Sequence, residues 1–316
     1  MRILRELPNS QFESGNRART VVTIGAYDGV HLGHQAVIRQ VRDNARELGC
    51  GSVVVTFDKH PAVVVRPQSA PKLLTDIEQK LELLAATGVD TTFIVEFTEE
   101  QAHEDPASFV RRVLVDGLGA RLVVVGEDFH FGFRRLGNVA LLRDLGRKHD
   151  FEVSPIQLIA RMDGGNEPVS STAIRRALGE GKVELASQML GRHFETRGVV
   201  VSGDKRGSKI GFPTANIEVP NEMILPLDGV YAGHCTLADG SRYECAINLG
   251  RRPTFVEHAT HSILEAHLLD FEGDLYDQKL RVSFEHLLRS ERKFENLEAL
   301  KMQLGIDIAQ ARSVMY

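Results

Sequence analysis

An α/β half built as a doubly wound parallel sheet, then a small antiparallel β-barrel and a terminal helix, is the fold class this sequence predicts. Three observations carry the prediction. In the first half, short apolar β-rich runs alternate with amphipathic segments. Near residue 185 the rhythm changes to short alternating strands separated by turn signals. The length of 316 residues suits about two domains at roughly 100–200 residues each.

Val21–Ile24 is a compact apolar run ending at Gly25. Gly33–Leu48 follows with Val37, Val41, Ala45 and Leu48 at helical spacing, and Gly49 stops it. Val53–Phe57 reads as a buried strand. Thr75 and Glu78 form a capping-box pattern before a helix that runs to Thr87 and ends at Gly88. Phe93–Val95 is the next strand, and Asp105-Pro106 opens another helix. Leu122–Val125 and Val153–Ile159 complete the series. Strands this apolar are buried on both faces, as in a parallel sheet, and a βαβαβ rhythm gives a doubly wound sheet.

From Thr196 the runs TRGVVVSG, TANIEV, GVYAGHCTL, RYECAINLG, SILEAHLLDF and KLRVSFEHLL follow. Asp239-Gly240 and Glu272-Gly273-Asp274 are turn signals between them. Their spacing suits a small barrel, closed by a helix over Leu297–Met315. The expected division is 1–185 and 186–316.

Composition narrows the function. Apolar residues make up 42% and charged residues 26%, an ordinary globular mix. A net charge of -5, from 38 basic and 43 acidic side chains, argues against a general nucleic-acid binder. No apolar run approaches the ~18 residues of a membrane span. The N-terminus lacks a signal peptide's apolar stretch. Cys50, Cys235 and Cys245 are too scattered for a disulfide scaffold, so the expected compartment is reducing cytosol. Cys235 and Cys245 flank the Asp239-Gly240 turn, and its length decides whether they face each other.

Gly25-Ala26-Tyr27-Asp28-Gly29-Val30-His31-Leu32-Gly33-His34 sits between the first strand and the first helix. Open α/β sheets bind ligands at the carboxyl ends of their strands, and a helix N-terminus there attracts phosphate. Gly25, Gly29 and Gly33 let a ligand approach the backbone. His31 and His34, three apart, share a helical face and can donate to phosphate oxygens. The alternative for a single histidine is a cap on a buried turn. Ser170-Ser171-Thr172-Ala173-Ile174-Arg175 is a second anion-site pattern, hydroxyl caps followed by Arg one turn in. The loops Thr56–Pro61 and Gly126–Gly132 follow strands and reach the same edge. They place Phe57, His60, Pro61, Asp128 and Phe131 at that edge as further ligand-binding candidates. Gly25-x-x-x-Gly29 does not match a dinucleotide fingerprint.

In the second half, Arg206-Gly207-Ser208-Lys209-Ile210-Gly211-Phe212-Pro213-Thr214-Ala215-Asn216 is the strongest signal. Thr214 and Asn216 point to one face if they share a strand. A hydroxyl and an amide oxygen suit a hard cation such as Mg²⁺. Arg206, Gly207, Lys209 and Gly211 fit a loop folded over phosphate. Glu265, in a strand, can take a proton from an attacking hydroxyl; a solvent-facing glutamate is the plainer alternative. His258, His261 and Glu265 would need a helix to form a zinc site. The acidic run Glu96–Glu104 reads as a solvated loop.

These motifs resemble a known family. The G-x-[FY]-D-G-V-H-x-G-H and S-S-T-x-I-R strings resemble the FMN adenylyltransferase module of bacterial bifunctional riboflavin kinase/FAD synthetases. That module belongs to the nucleotidyltransferase superfamily with its Rossmann-like sheet. The G-F-P-T-A-N string, Asn248–Phe255 and the E-x-H-L-L-D-F strand resemble its riboflavin kinase barrel. The resemblance spans residues 20–290. It implies riboflavin, FMN and ATP as small-molecule substrates, Mg²⁺ with the nucleotide, and attack of FMN phosphate on the α-phosphorus of ATP. It also implies Glu265 as base on the ribityl 5′-hydroxyl, with Thr214 and Asn216 holding Mg²⁺-ATP. It further implies His31, His34 and Arg175 as the residues that stabilise the adenylyl transfer. Tyr27, Lys59 and Ser208 depart from the usual pattern, and none of them is a proposed chemical residue.

Two other readings compete. The first half can instead adenylylate another phosphate ester, against which the barrel's flavin motifs argue. A flavin- or nucleotide-sensing protein without turnover is the non-enzymatic one, and the intact set His31, His34, Arg175, Thr214, Asn216 and Glu265 argues against it. Oligomeric state is not encoded in any motif of the chain.

Overall fold

The computed structural model describes residues 1–7, 19–157, 167–203, 211–251 and 262–315. It forms two compact units, Met1–Ser170 and Ser171–Tyr316.

The first unit holds β1 (Arg2–Leu4), β2 (Thr20–Ile24), α1 (Leu32–Leu48), β3 (Gly51–Phe57), α2 (Pro61–Val65), α3 (Ile77–Ala86) and β4 (Thr91–Val95). It continues with α4 (Glu99–Ala102), α5 (Pro106–Phe109), β5 (Ala120–Gly126), the short strands β6 (His130–Phe131) and β7 (Gly137–Asn138), α6 (Val139–His149) and β8 (Glu152–Ile156). The main sheet is six-stranded in the order β1-β4-β3-β2-β5-β8, and every neighbouring pair is parallel. The chain therefore runs outward from β2 through β3 and β4, then returns to the other side of β2 with β5. That reversal creates a switch point beside the end of β2, where such sheets bind ligands.

Burial follows from composition. Val21, Val22, Val54, Val55, Val123 and Val124 are fully inaccessible. Each such side chain contributes roughly 1.5–3 kcal/mol over exposure. α1 buries Ile38, Val41 and Ala45, three and four residues apart, as an amphipathic helix requires. Gly49 ends it with φ 62°, a left-handed cap that glycine adopts without a Cβ penalty.

α3 is capped by Asp76, which accepts from Gln79 N at 2.7 Å, rather than by Thr75; the Thr75 hydroxyl serves the motif loop described below. The acidic stretch is not all loop: Glu99–Ala102 is helical with a Thr98–Gln101 capping box, and Glu104 grips Arg112 through two contacts of 2.8 and 2.7 Å. The edge strand β1 has no sequence signal because it is three residues long and flanked by charge. β8 spans Glu152–Ile156; residues 158 and 159 of the expected strand lie outside the described residues.

The second unit opens with α7 (Ser171–Gly179) and α8 (Val183–Leu190), continues through β9 (Phe194–Val201), β10 (Ala215–Glu218), β11 (Gly229–Thr236), β12 (Arg242–Arg251), β13 (Ser262–Leu268) and β14 (Lys279–Ser290), and ends in α9 (Leu297–Met315). The strands close a barrel in the order β10-β13-β12-β11-β14-β9. Closure leaves no open sheet edge. Its core includes Tyr231, Ile247, Leu249, Leu264, Ala266 and Phe284, all fully buried. α9 is pinned through Asp307, 2% exposed, which accepts from Arg289 at 2.9 and 2.8 Å and from Gln303 at 2.7 Å. Cys235 opposes Tyr243 and Cys245 opposes Gly233. The thiols are thus out of register, and both are free. Burial pushes the Cys235 thiol up to about 12, so it is inert.

Among the described residues no helix is long and apolar enough to cross a membrane.

Candidate functional sites in the two units

The loop leaving β2 is wound tightly. Tyr27, Gly29 and Val30 have φ of 50°, 82° and 38°, a region that only glycine enters freely. The two non-glycines are held there by their surroundings. Tyr27 is 3% exposed and Val30 1%, and the Tyr27 hydroxyl shares a 2.7 Å hydrogen bond with Thr23. Gly25 backs onto the Tyr27 ring, 3.0 Å from where a Cβ would lie.

Asp28 anchors this loop. Its buried carboxylate accepts from Leu74 N at 3.0 Å, Thr75 N at 3.1 Å and the Thr75 hydroxyl at 3.2 Å. Gly29 N donates to the Thr75 hydroxyl at 3.1 Å. Asp28 therefore holds the lead-in to α3 against the motif rather than presenting a free charge.

His31 is the N-cap of α1. Its Nδ1 accepts from His34 N at 3.3 Å, which leaves the proton of a neutral ring on Nε2. The ring stacks on His34 with centroids 3.6 Å apart and planes at 19°. Gly33 permits this, since a Cβ there would stand 3.1 Å from the His31 ring. Burial, then the neighbouring His31 and Lys80, hold His34 well below the usual histidine range, so it is neutral near pH 7. Its Nδ1 is occluded and has no hydrogen-bond partner among the described residues. Val169 returns to this turn, its carbonyl 3.4 Å from the Cβ position of Gly33. Ser170 follows directly; Ser171, Thr172 and Arg175 lie in α7, in the second unit.

The loop after β3 repeats the capping device. His60 caps α2 through Nδ1, which accepts from Ala62 N at 3.1 Å, with Pro61 at the first helical position. Phe57 is half-buried and meets Phe97 edge-on at 5.3 Å. Asp128 is exposed in the loop after β5. Phe131 is 9% exposed and stacks on Phe129 at 5.4 Å inside the core.

Periodicity in α3 contains a residue that the motif reading passes over. Lys80 stands three after Ile77 and four before Leu84, on the buried face, and is 7% exposed. Its Nζ donates to Phe57 O at 2.7 Å and Ala26 O at 3.4 Å. A charged residue at an apolar periodic position was the available signal.

In the barrel, register assembles the second set. Asn216 on β10 lies directly opposite Glu265 on β13, and Glu265 lies opposite Asn248 on β12. The neighbouring row Ile217, Leu264 and Leu249 is buried in the core. Alternation therefore puts the polar row on the opposite face, where all three residues are half-buried. Cross-strand partners sit about 4.5–5.5 Å apart at Cβ, within reach of one substrate hydroxyl and one phosphate. Thr214 is exposed and lies one residue before β10, so it enters from the loop instead of sharing the strand. His267, two residues beyond Glu265, accounts for that loop's position: its Nδ1 bonds Pro213 O at 2.6 Å and its ring meets Phe212 edge-on at 6.1 Å.

Gly203 is a further residue missed in sequence. A Cβ there would lie 2.3 Å from the Asn216 amide nitrogen and 2.8 Å from its oxygen. Gly203→Ala is therefore expected to displace Asn216 and to slow any reaction that depends on that side chain about tenfold or more, leaving a reaction confined to the first unit unchanged. Separate assays of the two units' activities on purified protein check this.

Gly211 is described, with φ 90°. Arg206, Gly207, Lys209, Ser208, His258 and His261 lie outside the described residues.

Comparison with known proteins matches both halves of the chain. A family described as FAD synthetase matches residues 13–173, and one described as riboflavin kinase matches residues 190–315. The bifunctional riboflavin kinase/FMN adenylyltransferase of Pseudomonas fluorescens is 40% identical over 99% of this chain and 98% of that protein. The protein of the same description from Escherichia coli K12 is 34% identical over 99% and 97%. A solved structure titled as a macrolide-efflux protein from Streptococcus pneumoniae shares the fold, with a TM-score of 0.85 and 27% identity over 99% of each chain. With both halves matched in order and the relatives aligned end to end, the chain belongs to the bifunctional riboflavin kinase/FMN adenylyltransferase family.

Proposed function

We propose that the two activities of the family are carried in this chain by the residue sets just described, His31 and His34 for adenylyl transfer and Glu265, Asn216 and Thr214 for phosphorylation. The observation that carries the reading is the register of the barrel, which sets Glu265 beside Asn216 though 49 residues separate them in sequence.

In the barrel, Glu265 takes the proton of the ribityl 5′-hydroxyl as its oxygen attacks the γ-phosphorus of ATP, and ADP leaves. The donor set at Thr214 and Asn216 is a hydroxyl and an amide oxygen, hard ligands that fit Mg²⁺ with nucleotide phosphates completing its shell. Bound there, Mg²⁺ would neutralise phosphate charge. Arg206, Gly207, Lys209 and Gly211 are assigned to the phosphate loop.

In the first unit, an FMN phosphate oxygen attacks the α-phosphorus of ATP and the bond to the departing pyrophosphate breaks. His31 Nε2–H and His34 donate to phosphate oxygens, and the N-terminus of α1 adds its partial positive charge. Gly25, Gly29 and Gly33 allow close approach. By their sequence motif alone, Ser170, Ser171, Thr172 and Arg175 are assigned to phosphate binding; Phe57, His60, Pro61 and Asp128 are assigned to the flavin side, with the core-buried Phe131 behind them. No protein nucleophile is used; positioning and charge stabilisation suffice.

We place the functional division at 185/186, between the two matched segments. Cytosol is the proposed compartment, which suits the free thiols. The net charge of -5 fits small-molecule partners and no nucleic acid. The experiment is to incubate purified protein with riboflavin, ATP and Mg²⁺ and separate the flavins. FMN followed by FAD is expected; finding neither overturns the assignment.

A further inference from the structure

The adenylyltransferase reading leaves one buried cation without a role. Lys80 projects from α3 beneath the carboxyl ends of β2 and β3, and its Nζ meets the carbonyls of Ala26 and Phe57. Those two carbonyls begin the two loops that carry His31 and His60. The Thr56 hydroxyl donates to the same Ala26 carbonyl at 3.1 Å, and Asp28 fastens the segment leading into α3. The ammonium thus joins the loops at the points where they leave the sheet.

Resting on that reading, we infer that Lys80 is a positioning residue for adenylyl transfer: its charged amine ties the His31 loop to the His60 loop and fixes the two capping histidines relative to each other.

The titratable groups acting with it are the carboxylates of Asp28, from the loop after β2, and Asp58, from the loop after β3, with the neutral His34 of α1 beside them. Burial lowers its pKa to about 8, against the two aspartates, which raise it. The sign separates function from stability. A lysine with a lowered folded pKa binds fewer protons folded than unfolded between about 8 and the ordinary value near 10.5, so losing the proton there favours the fold. A role in stability alone thus predicts no loss as pH rises through 8. A need for the ammonium predicts falling adenylylation in that window.

The test uses the full chain with Lys80→Met and Lys80→Arg, following FAD formation from added FMN against pH. Riboflavin phosphorylation serves as a control for protein quality. The wild-type rate should fall above about pH 8 while the thermal midpoint does not. Lys80→Met should lose about 100-fold in kcat/KM, the scale of a one-ångström misplacement, chiefly in kcat. Lys80→Arg should recover at least tenfold over Lys80→Met and carry activity beyond pH 9, because guanidinium stays charged. Should Lys80→Met fail to fold, the pH limb of Lys80→Arg decides. Near-normal activity in Lys80→Met, no recovery in Lys80→Arg, or an arginine variant with the wild-type alkaline limb overturns the inference. Loss of FAD formation in wild type itself would instead overturn the underlying reading.

Discussion

Glu265→Gln is expected to stop riboflavin phosphorylation while FAD still forms from added FMN. The amide keeps the shape of the carboxylate and its place between Asn216 and Asn248, but it cannot take up a proton near pH 7. Removing a general base typically costs about 10²–10⁴-fold, so the kinase rate should fall by about that factor. Because Glu265 is half-buried on the face opposite the core, packing in the barrel stays intact and the thermal midpoint should barely move. The measurement is chromatographic separation of flavins from two incubations, one started with riboflavin and one with FMN. A variant that phosphorylates riboflavin at the wild-type rate would remove Glu265 as the base. Loss of both products would remove the division of labour.

His31→Asn is expected to give the reverse pattern, with FMN made and FAD not. The choice of asparagine matters because His31 has two tasks. Its Nδ1 caps α1 by accepting from His34 N, and its Nε2–H faces away from that cap as a donor. Asparagine is among the best N-caps, so it can keep the first task while removing the imidazole. Losing a donor aimed at developing charge costs about 10²–10³-fold in kcat, and that is the expected fall in adenylylation. His31→Ala removes both functions and should add about 1 kcal/mol of destabilisation to the same kinetic loss. If asparagine supports a wild-type rate, His31 is a cap and nothing more.

The proposed site was legible in part. His31, His34, Thr214 and Asn216 stand in strings whose residue types point to phosphate and cation chemistry, while Glu265 is singled out only by the family resemblance. The residues that were not readable act across the chain. Asp28 holds Thr75 from 47 positions away and Lys80 reaches the carbonyl of Phe57 from 23; His267 holds Pro213 from 54. Such partners carry no local signal, because a carbonyl acceptor can belong to any residue and only packing selects it. Gly203 was silent for a related reason: its role is the space it leaves for Asn216, and an absent side chain has no pattern.

By itself the sequence determined the local elements. Apolar runs with β-rich composition became strands, period-3.6 segments became helices, and glycine or proline ended them, since these preferences depend on neighbours a few residues away. Only the tertiary structure decided which strands became neighbours. The reversal about β2, the closure of the barrel and the pairing of Asn216 with Glu265 all depend on contacts between distant segments. Those contacts are settled by burial of both sheet faces and by ladder hydrogen bonds, which no short window of sequence contains.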